Sequence, residues 1–265
     1  MNKINNNKIK IIFSPTIDKP YIVLWKPRNL PSAPLYKDDM NNALYQAGEL
    51  FPAIFKVKGK KEIEYGLLHR LDTATDGLLL IATNQEFYDY MQKEQKEGRF
   101  IKYYSAKCNI NKDNPKLLKG YPEYILTESD MKLNKQYMIK SYFRPYGEGR
   151  KEVRPVTNNS GKAALKKTGK QKLYTTEINI KEVDKNNNTC IVICKLKEGY
   201  RHQVRCHLSW IGLPIINDTL YNAECSKTEE NKKNAENEMK FSATKLEFKC
   251  PGGDLNSYEI ALTWT

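Results

Sequence analysis

The chain has 265 residues, 40% hydrophobic and 28% charged, enough apolar surface for a sizeable core and too much for wholesale disorder. Lys and Arg number 44 against 31 Asp and Glu, a net charge of +13, with a pI near 9.3 and a mean hydropathy of -0.69. No apolar run approaches the roughly 20 residues of a membrane helix, and residues 1–10 are rich in Asn and Lys without the apolar stretch of a secretory signal. A soluble, cytoplasmic protein is expected.

In chain order, residues 21–25 (YIVLW) read as a strand closed by Lys26-Pro27. Residues 39–50 place Met40, Ala43, Leu44 and Ala47 at helical spacing behind an Asp cap. Residues 77–82 (GLLLIA) form a continuous apolar run, a buried strand. Asn84 then caps a helix through Lys96, ended by Gly98. Residues 101–110 and 137–143 return to strand character. Residues 173–180 and 189–196 flank a polar turn, Asp184 to Asn188, as a hairpin. Residues 201–210 are helical, with Gly212 and Pro214 beyond, and 241–248 and 258–264 read as closing strands. Mixed strands with few helices and no βαβ rhythm give an α+β class.

Two stretches read as lying outside the core. Residues 144–172 hold nine Lys or Arg against two acids, +7 of the net +13. Residues 225–240 are polar and Asn-rich, the composition of a flexible loop. The basic balance suits a polyanion partner. Because 36 of the 44 basic residues are Lys in a chain rich in Asn and Ile, an A/T-rich coding sequence accounts for it equally well. The six cysteines form no C-x-x-C pair, and with only three histidines they do not have zinc-ligand spacing; reduced, buried thiols are expected and no metal.

The segment that carries chemistry is His69-Arg70-Leu71-Asp72-Thr73-Ala74-Thr75-Asp76-Gly77. Downstream come Lys102, Tyr104 and Ala106 at K-x-Y-x-A spacing, and Gly199-Tyr200-Arg201-His202-Gln203-Val204-Arg205-Cys206-His207-Leu208. Lys26-Pro27-Arg28-Asn29-Leu30-Pro31 opens the series, and Gly212-Leu213-Pro214-Ile215-Ile216-Asn217-Asp218-Thr219-Leu220-Tyr221 closes it. Together, in this order, the five segments resemble the RluA-type RNA pseudouridine synthases, from about residue 20 to the C-terminus. His69 and His202 favour that branch over the RsuA-like one.

The resemblance implies a mixed, mainly antiparallel catalytic domain over residues 21–265, preceded by an extension of 20 residues too short for a separate RNA-binding domain. It implies conversion of uridine to pseudouridine in ribosomal or transfer RNA. A carbon–nitrogen glycosidic bond breaks and a carbon–carbon bond forms, with no redox change, metal or cofactor. The reaction needs a carboxylate nucleophile, at the anomeric carbon or at carbon 6 of uracil. The resemblance assigns that role to Asp72, places Arg205 to keep it ionised and oriented, and has Tyr104 line the pocket and stack on the base. Arg70 fills the gap left by the flipped base or supports the nucleophile loop. Lys102 and Gln203 face RNA, His202 is structural or RNA-facing, and Lys166, Lys167 and Lys170 of the basic stretch meet phosphates. Asp76, where the family has Ser, puts a second carboxylate near Asp72; it could cap a loop or raise the pKa of Asp72. The alternative is a non-catalytic RNA-binding or RNA-folding protein on the same scaffold. A monomer with RNA as its partner is expected.

Overall fold

The computed structural model describes residues 7–110, 118–123, 133–168, 172–225 and 238–262. In chain order the elements are β1 (Lys10–Phe13), β2 (Tyr21–Lys26), α1 (Ala43–Leu50), β3 (Asp76–Ala82), α2 (Gln85–Lys96), β4 (Ile101–Asn109), β5 (Gln136–Tyr146), β6 (Glu152–Val156), α3 (Lys162–Lys166), β7 (Tyr174–Asp184), β8 (Thr189–Leu196), α4 (Gln203–Trp210), β9 (Phe241–Lys249) and β10 (Leu255–Glu259). They group into two compact units, Met1–Lys102 with Ser242–Thr263, and Tyr103–Phe241.

In the first unit β2 lies between β1 and β3, antiparallel to both, and β3 pairs β9 in parallel through Asp76 with Ser242 and Gly77 with Ala243. β10 returns antiparallel to β9. The apolar run of β3 is buried throughout because both its faces are covered. Leu78, Leu80 and Ala82 join Tyr21, Val23, Phe87, Met91, Phe100 and Phe248 in one core. Gly77 is needed where β3 meets β9. Its φ is +126°, and a Cβ there would lie 2.3 Å from the Ala243 carbonyl oxygen. Asn84 caps α2 by accepting from the Phe87 N–H at 2.9 Å.

In the second unit β7 pairs antiparallel with β8 and with β5, and β5 pairs with β6. A core of Phe143, Val153, Cys206 and Tyr221 ties α4 to the β5–β6 hairpin. The architecture is α+β with mainly antiparallel pairing, as expected.

Several boundaries differ from the sequence reading. Asp39 does not cap α1. Its carboxylate accepts from the Leu35 and Asn41 N–H groups in a preceding turn, and Asn42 is the cap. The helix of residues 201–210 starts at Gln203, because His202 takes a left-handed conformation. The last strand begins at Leu255, before residue 258. β1 arises within the expected N-terminal extension. Residues 144–172 are not wholly outside the core. The stretch contains β6, where Val153, Arg154 and Val156 are buried by pairing with β5. Of the stretch 225–240, residues 226–237 lie outside the described residues.

Candidate active site

Asp72 sits half-buried at a tight turn closed by the Thr75 N–H donating to the Asp72 carbonyl at 3.0 Å. The backbone on either side is gripped by the segment that follows β2. Ser32 Oγ donates to the Leu71 carbonyl at 2.8 Å and accepts from the Leu71 N–H at 2.9 Å. The Thr73 carbonyl accepts from the Asn29 N–H at 2.8 Å and from Lys26 Nζ at 3.3 Å. Lys26 is fully buried and donates further to the Pro27 and Leu30 carbonyls at 2.8 and 2.7 Å. Burial pushes its ammonium down to about 7; the Asp76 and Asp72 carboxylates oppose that shift, and the Arg28 charge adds to it. The carboxylate of Asp72 is thus carried on a fixed frame, which a nucleophile needs.

Asp76 is buried. Its Oδ1 accepts from Ser242 Oγ at 2.6 Å and pairs with Arg28 Nη2 at 2.8 Å. The carboxylate that stands in the family's Ser position therefore has a cationic partner from the opening motif.

Arg70 is half-exposed and held by Glu64 Oε1 at 3.0 Å, with Lys61 Nζ 3.5 Å from the same oxygen. His69 accepts at Nε2 from the Leu80 N–H at 3.2 Å and meets Phe100 edge-on. Burial, reinforced by the Lys102 charge, lowers its pKa to about 3, so it is a neutral framework ring. Lys102 lies 4.4 Å over the Phe100 ring.

In the second unit Tyr104 stacks on Phe241 with centroids 5.3 Å apart. Arg205 presents Nε and Nη2 to the two carboxylate oxygens of Asp218, both at 2.8 Å, a bidentate pair with Asp218 fully buried. Asp218 Oδ1 also accepts from the Leu220 and Tyr221 N–H groups. The sequence reading gave Asp218 no role. Its only signal was its place in the closing motif, three residues before Tyr221.

Gln203 donates to the Thr175 carbonyl and to Thr176 Oγ1, and accepts from the Tyr200 N–H. The His207 ring bridges two hydroxyls, with Nδ1 2.8 Å from Thr176 Oγ1 and Nε2 2.9 Å from Ser141 Oγ. Burial lowers the His207 pKa to about 3. His202 Nδ1 meets the Tyr221 hydroxyl at 2.9 Å. Gln203 is only 2% exposed and Lys102 only 5%. The reading that these two face RNA departs from this placement, because the Gln203 amide is saturated inside the fold and Lys102 packs on a core ring.

Lys166 and Lys167 are exposed at the end of α3, and Lys170 lies outside the described residues. Five of the six cysteines are buried and all are free. Among the described residues, no group of three His, Cys, Asp or Glu is arranged to hold a metal ion, and no helix is long and apolar enough to cross a membrane.

The described scaffold is mainly antiparallel α+β, with an Arg-Leu-Asp turn before β3 and a buried Arg near the start of α4. Residues 20–210 match the family described as RNA pseudouridylate synthase, and the chain belongs to that family. It is 25% identical over 222 residues to the uncharacterized RNA pseudouridine synthase MG209 of Mycoplasma genitalium, covering 84% of this chain and 58% of the relative. It is 28% identical over 222 residues to ribosomal large subunit pseudouridine synthase D of Borreliella burgdorferi, covering 82% and 56%. The chain thus spans little more than half the length of these relatives. Human RNA pseudouridylate synthase domain containing 1 shares the fold, with a TM-score of 0.63 at 18% identity over 98% of this chain and 86% of that one.

Proposed function

We propose that this chain isomerises uridine to pseudouridine in structured RNA, ribosomal or transfer, with Asp72 as the nucleophile. The observation that carries the reading is the turn at Asp72, clamped on both sides by Ser32, Asn29 and Lys26, in a chain of this family. The glycosidic bond from N1 of uracil to the anomeric carbon breaks, the ring turns, and carbon 5 bonds to the anomeric carbon. Carbon 5 gives up its proton and N1 gains one, so no oxidant or reductant enters. The resemblance gives Arg205, aligned by Asp218, the task of keeping the nucleophile ionised, and Tyr104 that of stacking on the flipped base. Arg70 follows the RNA when the base leaves its stack, exchanging Glu64 for the new contact. His202 and the lysines of residues 144–172 meet the RNA backbone, and residues 21–265 form the catalytic domain. The name of the spirochaete relative, a large-subunit enzyme, supports ribosomal RNA as the first substrate to test. We further propose a cytoplasmic monomer that needs neither metal nor cofactor, so activity survives chelation.

The test has two parts. Deleting the gene and mapping pseudouridine across total RNA should reveal a missing position. Complementation with wild type should restore it, and Asp72→Asn should not, while still binding RNA. A full complement of pseudouridines in the deletion strain would leave the non-catalytic RNA-binding alternative standing.

A further inference from the structure

On β5, Lys140, Tyr142, Arg144 and Tyr146 alternate with the buried Ile139, Ser141 and Phe143, so the four share one face. The pairing of β5 with β6 sets Arg144 directly opposite Arg154. Two guanidinium groups facing each other across a ladder repel, unless anions compensate them. Arg154 is compensated. It pairs with Glu152 at 2.6 Å, donates to the Lys119 and Val153 carbonyls, and lies between the rings of Tyr146 and Tyr121.

Arg144 is not. Its guanidinium lies 4.9 Å over Tyr146 and reaches the Gly120 carbonyl at 3.4 Å, too long and weak to satisfy it. Among the described residues, no carboxylate pairs with it, and its Nε is buried without an acceptor. Burial lowers its pKa, and the Arg154 charge adds to the shift. Gly120 is held against this pair of side chains. Its φ is +89°, and a Cβ there would meet the Tyr146 ring at 2.9 Å and Arg144 Nη2 at 3.0 Å. The same loop, with Lys140, Thr157, Asn159 and Ser160, borders a cleft of about 660 Å³.

We propose that Arg144, backed by Tyr146 and Arg154, is a phosphate-binding site for the RNA backbone, and that the adjoining nucleotide runs into the cleft beside Lys140. A phosphodiester supplies what the cluster lacks, one negative charge with several acceptor oxygens for a planar fork already stacked in place. The proposal rests on the reading of RNA as substrate, and it is distinct from the lysines of α3.

Phosphate contacts are independent of sequence, so a labelled RNA hairpin of arbitrary sequence serves as the probe. Arg144→Gln should weaken binding and reduce the slope of log affinity against log salt by about 0.7–0.9, the contribution of one phosphate. Arg144→Lys keeps the point charge and should keep the slope while losing part of the affinity. Melting temperatures near wild type for both variants establish that the fold is intact. An unchanged slope in a folded Arg144→Gln protein overturns the proposal, as does Arg144→Lys behaving like Arg144→Gln. Isomerisation assayed on wild-type protein tells this failure from failure of the functional reading. A wild type that modifies RNA while Arg144→Gln keeps its salt slope refutes the site alone.

Discussion

The Arg28–Asp76 pair offers the sharpest perturbation. Asp76 stands where the family carries Ser, and it is buried with Arg28 Nη2 at 2.8 Å and Ser242 Oγ at 2.6 Å. Arg28→Met leaves a buried carboxylate with one hydroxyl partner. Asp76→Ser takes away the carboxylate that faces Arg28 Nη2. Removing one member of such a pair destabilises by roughly 3–5 kcal/mol, whereas replacing both is often close to neutral. At roughly 2–4 °C per kcal/mol for a chain of this size, each single variant should melt about 6–20 °C below wild type. The double variant should recover most of that loss, so the coupling energy approaches the sum of the two single losses, several kcal/mol. Turnover should follow the same pattern, because the unpaired carboxylate of Arg28→Met lies one turn of chain from Asp72. The assay is a double-mutant cycle, read by thermal melting and by single-turnover rates on RNA. Additive losses, with the double variant as unstable as the two singles combined, would refute the reasoning that the two residues stabilise one another.

Ser32→Ala strips both hydrogen bonds from the Leu71 backbone and should cost about 1–3 kcal/mol by chemical denaturation, with a lower rate on saturating RNA. Asp218→Asn turns an acceptor toward Arg205 into a donor and leaves that charge buried; a loss of roughly 3–5 kcal/mol is expected, read as the fall in denaturant midpoint. His69 and His207 are held near pKa 3 in the fold, below the roughly 6.5 of the unfolded chain. The unfolded state therefore binds protons that the folded state refuses, so stability is complete above pH 6.5 and falls as the pH drops toward 3. At pH 5 each should cost about 2 kcal/mol relative to neutral pH. His207→Gln should remove close to half of that acid sensitivity, and denaturant midpoints equal at pH 7 and 5 in the wild type would contradict it.

Residue order alone determined the features that rest on local chemistry. The apolar run of residues 77–82 can only be a strand covered on both faces, and Asn84 before an amphipathic stretch can only open a helix. The hairpin turn at Asp184 was legible because an Asp side chain binds the N–H groups two and three residues on. The family resemblance carried by the motifs likewise marked Asp72, Tyr104 and Arg205 as the residues to watch. Tertiary structure decided what those side chains meet. That Asp76 pairs with Arg28, that Asp218 clamps Arg205, and that Arg144 is left facing Arg154 all depend on strand register and on loops folding back, which bring together residues far apart in sequence. Burial decided the rest. Gln203 and Lys102 are assigned to RNA by the resemblance, and a motif position carries no depth. Arg154 and Val153 read as part of a solvated basic stretch because a short strand's pairing leaves no periodicity strong enough to show against its charged neighbours.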